Sequence, residues 1–215
     1  MFPLGIIFVL FILFLPLLFF LLFFNLITVS FTKLGFPPWA TFALFLLCLV
    51  GSAINIPIWR ESTTSPGGFF HYRQFLYFNP PTVSQRIIAI NVGGAIIPVL
   101  ASLYILPKAP FLRTVIVTVV IVAITYWVAQ PVPGVGIRMP FFVAPLASAV
   151  VALILTGGKK AAPVAYISGV LGTLIGADLL HLSALQSGGL QVLSIGGAGV
   201  FDGIFLTGII AAFLA

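Results

Sequence analysis

The chain has 215 residues, 61% of them hydrophobic and 6% charged, with a mean hydropathy of +1.29. A soluble domain carries roughly 25% charged residues, so a water-soluble globule is excluded and a single integral membrane domain over residues 1–215 is expected. The formal net charge is +6, but the basic residues stand singly or in pairs at helix ends, where Lys and Arg contact anionic headgroups. The lipid bilayer, not nucleic acid, is the partner this pattern implies.

The first predicted helix covers about Pro3–Phe24, with an extension toward Val29 left open. It lacks a basic n-region and a small-residue cleavage site, so a retained helix is expected rather than a signal peptide. It has no polar face and should lie at the bundle edge against lipid, with a kink where Pro16 removes an intrahelical bond. Lys33 and the turn Gly35–Trp39 end it, Trp39 suiting the headgroup level. The second predicted helix runs about Trp39–Trp59 and holds Cys48, the one cysteine, so no intrachain disulfide forms. Asn55 near its end is expected to satisfy a neighbouring backbone group rather than bind substrate.

Arg60–Arg86 is the longest polar connection. STTSPGG reads as irregular loop. FFHYRQFLYF is too short to cross a hydrocarbon core of about 30 Å, and the expectation is a short amphipathic piece in the interface. The third predicted helix, Ile87–Leu106, contains Asn91, Gly93-Gly94 and Pro98. These permit close approach and a local break, tolerable where protein or water covers the freed backbone groups. It is a neighbour of choice for any polar centre.

A fourth predicted helix spans Phe111–Ala129. Its β-branched run would favour a strand in water, but length and flanks favour a lipid-embedded helix. Gln130–Pro140 is a Pro/Gly-rich connection with Arg138, expected to anchor in headgroups or, alternatively, to reach an anion. The fifth predicted helix is Met139–Thr156, with Pro140 in its first turn. The sixth and seventh are Ala161–Leu182 and Gly197–Ala215, joined by Ser183–Gly196. The fold class is therefore all-α, a polytopic bundle of about seven helices. Connections one, three and five hold Lys33, Lys108, Arg113, Lys159 and Lys160. The other side holds Arg60, Arg73, Arg86 and Arg138. This bias favours a cytoplasmic C-terminus.

The chemistry concentrates in the last two helices. Of three acids in the chain, Asp178 and Asp202 lie within these apolar runs, where an ionisable group is costly and marks a functional candidate. Asp178 is about 27 Å along its helix from Lys160 at 1.5 Å per residue, near the far end. The next helix returns from that end, and Asp202 lies about one turn inside it. An antiparallel hairpin can thus bring both carboxylates to comparable depth. Gly169, Gly172 and Gly176 share a broad face for close packing, and the last helix carries Gly199, Gly203 and Gly208. Gly196-Gly197-Ala198-Gly199 can present bare backbone amides to the site. Two close carboxylates in a low dielectric share one proton and titrate as a unit. Such a pair can activate water and protonate a carbonyl, or bind H⁺ or Na⁺ for transport. The competing structural reading makes either aspartate a helix cap, an easier role for Asp202 at a helix N-terminus than for Asp178. His71 and His181 lack metal-ligand spacing, and no cofactor is expected. Every lysine flanks a helix, which excludes a Schiff-base photoreceptor.

APVAYISGVLGTLIGADLLHL and SIGGAGVFDGIFLTGIIAAFLA, with NVGGAIIPVL and PGVGIRMP, resemble the DUF1614 family of uncharacterised prokaryotic membrane proteins. That resemblance implies a multi-pass protein of a bacterial inner or archaeal plasma membrane and supplies no activity. A second, fainter likeness is to the GxGD intramembrane aspartyl proteases. These carry one aspartate on each of two consecutive helices, matching Asp178 and Asp202 by position. The departures are specific. Val200-Phe201 separates Gly197-Ala198-Gly199 from Asp202, Ala177 rather than tyrosine precedes Asp178, and the proline-alanine-leucine element is missing. The expectation is a hydrolase acting on a membrane peptide through Asp178 and Asp202. The alternative is a small H⁺- or Na⁺-coupled transporter using the same carboxylates, with Asn91, Gly176, Gly197, Gly199, Gly203 and Arg138 as supporting residues in either case.

Overall fold

The computed structural model describes residues 4–65, 68–72, 75–79, 82–132, 136–187, 192–197 and 203–215. It is a predominantly helical bundle. In chain order the helices are α1 (Leu4–Lys33), α2 (Pro38–Gly51), α3 (Ile97–Ile105), α4 (Phe111–Val128), α5 (Val143–Thr156), α6 (Ala161–Thr173), α7 (Leu182–Ser187) and α8 (Gly203–Leu214). A π-helical turn at Val92–Ile96 leads into α3, and another at Leu174–Leu179 continues α6. Three helical stretches, Phe11–Lys33, Phe111–Val128 and Ala161–Ala184, are long and apolar enough to cross a membrane, and four shorter apolar helices accompany them.

Helix α6 is the centre of the bundle. Twelve of its thirteen residues are buried, as expected of a helix that is apolar or small on every side. Its glycines set the approach of its neighbours. A Cβ on Gly172 would lie 2.5 Å from Ile121 Cγ2, and one on Gly176 would strike Thr125 Oγ1, so α4 lies directly against this edge. Gly169 meets Ser148 of α5 and Thr207 of α8. Gly208 sits on Val170 and Tyr166, while Val164 and Ala165 share a core cluster with Ala211. Helix α8 therefore runs back along α6.

At one end of the bundle, cations from one element close the C-terminus of another. Lys33 Nζ donates to the Phe213 carbonyl (2.7 Å), Lys108 Nζ to the carbonyls of Leu34 (3.1 Å) and Gly35 (3.3 Å), and Arg113 to the Thr156 carbonyl (3.3 Å). The last carbonyls of a helix have no intrahelical partner, and a cation there also meets the negative end of the helix dipole. Lys159 and Lys160 are exposed at the same end.

The opposite end departs from the sequence expectation. The second helix stops at Gly51, and Asn55–Ser65 is a strand, β1. Pro57 has no N–H to continue a helix and pushes Ile56 out of the α region. The segment read as loop and interfacial piece forms the end of β1, β2 (Gly68–Tyr72), β3 (Phe75–Asn79) and the first half of β4 (Thr82–Asn91). Strands β1 and β4 pair antiparallel from Asn55↔Asn91 to Ser65↔Thr82, with Glu61 opposite Arg86, and β2 pairs with β3. The third predicted helix thus begins later, its first residues Ile87–Asn91 being strand. The connection before the last helix holds α7 and β7 (Val192–Ile195), which adds to β4 in parallel, giving the order β1-β4-β7. Gln130–Val132 and Gly136–Arg138 form a small antiparallel pair, β5 and β6. The first helix also continues to Lys33, four residues past the Val29 to which the expectation reached, and stays helical through Pro16.

Candidate functional site

Asp178 lies in the π-turn that ends α6, at the sheet end of the bundle. A π-turn carries one extra residue per turn and re-aims the side chains it holds. Here the Leu180 N–H reaches the Ile175 carbonyl at 3.0 Å, an i to i+5 bond. The Asp178 Oδ2 accepts a 2.7 Å hydrogen bond from the backbone N–H of Gly196. The side chain is half-buried.

Gly196 is where two discontinuous elements meet. It closes β7 with φ +86°, and Gly197 follows with φ +83°, both in the left-handed region glycine occupies without penalty. A Cβ on Gly196 would lie 2.6 Å from the Ala95 Cβ and 2.8 Å from the Ala95 N. Gly196 is therefore wedged between the turn carrying Asp178 and the Val92–Ile96 turn. Only a residue without a side chain fits.

Asn91 organises the second turn. It is 1% exposed and fully hydrogen-bonded. Its Oδ1 accepts from the Gly94 N–H (2.8 Å), capping the π-turn, and its Nδ2 donates to the Ser52 carbonyl (2.7 Å) and to Asn55 Oδ1 (3.1 Å). The Ser194 hydroxyl lies 2.6 Å from Asn55 Oδ1 and 2.7 Å from the Gly197 carbonyl, and its single proton serves one of these at a time. Contacts run from Asn91 and Asn55 through Ser194 to Gly196-Gly197 and on to Asp178. Gly93 locks the network to α2, since a Cβ there would strike the Cys48 carbonyl and the Ser52 N.

Of the residues singled out in the sequence, Asp178, Asn91 and Gly197 come together around Gly196. Gly176 faces Thr125 of α4, on the α4 side of the same turn. Arg138 is exposed at the end of β6, opposite Gln130. Gly203 opens α8, with nothing within 4 Å of where a Cβ would stand. Asp202 and Gly199 lie outside the described residues. The site also contains Asn55, which the sequence reading expected to satisfy a neighbouring backbone group, and groups that reading did not pick out. Asn55 bonds to side chains rather than to backbone, and does so from a strand. Ser194 reaches the site because β7 pairs with β4, a pairing four residues long that carries no sequence periodicity. His181 turns its Nδ1 to the carbonyls of Gly176 (3.1 Å) and Ala177 (3.0 Å) and stacks on Tyr126. Two carbonyl partners make Nδ1 the donor. Thr173, five residues before Asp178, has a buried hydroxyl with no hydrogen-bond partner among the described residues. Among the described residues no group of three or more His, Cys, Asp or Glu is positioned to hold a metal.

An apolar helical bundle with three helices long and apolar enough to cross a bilayer is the architecture of a membrane protein. A family model described as a protein of unknown function, DUF1614, matches residues 49–214, and the chain belongs to that family. No curated protein and no solved structure matches it.

Proposed function

We propose that the chain is a membrane-embedded hydrolase of peptide bonds, in which Asp178 and Asp202 form one acid–base pair. The observation that carries this reading is the position of Asp178. It sits at one end of the central helix, beside a strand turn and away from the lysine end. A carboxylate at one end suits access to water from one side, as hydrolysis needs. A carrier places its site near the midplane, to be reached in alternation from both sides. Gly196 fixes one Asp178 oxygen and leaves the other for a proton or a water. Asp202 follows Gly197 by five positions, which tethers its Cα within about 18 Å of the turn. In this reading one carboxylate deprotonates water and the other protonates the carbonyl or leaving amine. The protein is multi-pass, in a bacterial inner or archaeal plasma membrane, and its substrate is a membrane peptide.

A second reading, an H⁺- or Na⁺-coupled carrier on the same carboxylates, draws on the break before α3 and the asparagine that caps it. One experiment separates the two. Wild-type, Asp178→Asn and Asp202→Asn proteins are reconstituted in vesicles with a library of membrane peptides. Cleavage by the wild type, lost in both variants, is the expected result. Solute-driven proton or sodium uptake without cleavage supports the carrier instead.

A further inference from the structure

A groove of about 860 Å³ lies between α1, α5 and α8. Every residue lining it is Pro, Phe, Leu or Ile, with Phe19, Phe23, Phe142, Leu146, Ile210 and Phe213 on its walls. It exists because α1 leaves the bundle. Ile27 and Phe31 are buried, whereas residues from Phe11 to Leu22 are exposed on all sides. Apolar volume without partner atoms forfeits dispersion contacts along its whole lining, so an occupant of matching chemistry is favoured. Flexible hydrocarbon chains fit.

One cation stands beside the groove wall: Lys33 Nζ is 5.7 Å from the centroid of the Phe213 ring and, among the described residues, donates to the Phe213 carbonyl. An ammonium has three donors, and this side chain is exposed. Four more cations share that end: Lys108, Arg113, Lys159 and Lys160. The acids are elsewhere. Glu61 and Asp178 lie at the sheet end, and Asp202 precedes α8, whose opposite end carries Phe213. Lys108 and Arg113 are already turned onto helix carbonyls, and Lys33 alone among the five borders the groove wall.

We propose that the groove between α1, α5 and α8 binds an anionic phospholipid, its acyl chains against the phenylalanines and its headgroup phosphate on Lys33. The bound lipid fills the gap that α1 leaves and ties α1 to α5 and α8.

The test uses the full chain in phosphatidylcholine vesicles with trace spin-labelled phosphatidylglycerol or phosphatidylcholine. The readout is the motionally restricted fraction of each label. One lysine at the headgroup level corresponds to a preference of about fivefold for the anionic lipid. Lys33→Gln brings the ratio to about one, and a Lys159→Gln/Lys160→Gln control leaves it in place. Leu146→Trp, which fills the groove at an exposed wall position and keeps Lys33, also abolishes the preference and carries the test should Lys33→Gln misfold. Equal retention of both labels by the wild type overturns the proposal. So does a preference that survives Lys33→Gln or Leu146→Trp in a protein of native circular dichroism, or one lost with Lys159 and Lys160 alone.

Discussion

The carboxylate of Asp178 and the backbone N–H of Gly196, eighteen residues apart in sequence, are joined by a 2.7 Å hydrogen bond. This one contact ties the end of the central helix to the turn after β7 and, through Ala95, to the entrance of α3. Substitutions at Asp178 separate its two roles. Asn keeps an oxygen for the Gly196 amide, so Asp178→Asn should unfold near the wild-type denaturant midpoint in mixed micelles. Asp178→Ala leaves a buried donor without a partner and should lose about 1–3 kcal/mol. Both should abolish peptide cleavage in vesicles.

Gly196→Ala should be more damaging than either, by about 2–4 kcal/mol. It adds left-handed backbone strain of about 1–2 kcal/mol to an overpacked contact with Ala95. Thermal unfolding measures the loss. A Gly203→Ala control, where a Cβ meets open space and a helix former replaces glycine, should be neutral or slightly stabilising.

Asn91 is a second anchor. Asn91→Ala removes the cap on Gly94 and two donated bonds, and should cost about 2–4 kcal/mol in chemical unfolding. Asn91→Asp keeps the capping oxygen but turns a donor into an acceptor facing the Ser52 carbonyl, and should recover little of that loss.

Much of this centre was legible in the residues, and the reasons differ by element. An aspartate inside an otherwise apolar helix is conspicuous, and glycines three and four apart announce a packing edge, which α4 occupies at Gly172 and Gly176. The asparagine and paired glycines ahead of α3 announced a break. The sheet was hidden by its own composition. Ile87–Ile90 is as apolar as a helix start, so a length-and-hydropathy reading absorbs it into α3. Ile54–Trp59 continued α2 for the same reason. Pro57, and the β-branched and hydroxyl residues at Ser62–Ser65, were the signals against helix and loop. The β4–β7 pairing joins residues about a hundred positions apart over four rungs, and no local pattern encodes it. Ser194 and the bonding of Asn55 were invisible on that account.

Thr173 offers a test from the opposite direction. Its buried hydroxyl lacks a protein partner among the described residues, so Thr173→Val should leave stability unchanged or raise it by about 1 kcal/mol. If the hydroxyl serves the Asp178 site, activity falls in a protein that is no less stable, a split read by running unfolding and cleavage assays on the same preparation.

The charge asymmetry fixes an expected orientation. Cations at the ends of α1, α4 and α5 should face the cytoplasm, with the sheet and Asp178 outside. In a Cys48→Ser background, a membrane-impermeant maleimide should label Glu61→Cys in intact cells and Lys159→Cys only after permeabilisation. The reverse pattern inverts the topology.

The proposed hydrolysis requires Asp178 and Asp202 to face one another, and short-range thiol cross-linking asks this directly. With Asp178→Cys/Asp202→Cys in a Cys48→Ser background, a bifunctional reagent spanning a few ångström should link the two within a single chain in native membranes. Both cysteines reacting singly with a monofunctional maleimide, with no intrachain link at any reagent length short of the 18 Å tether, would contradict it.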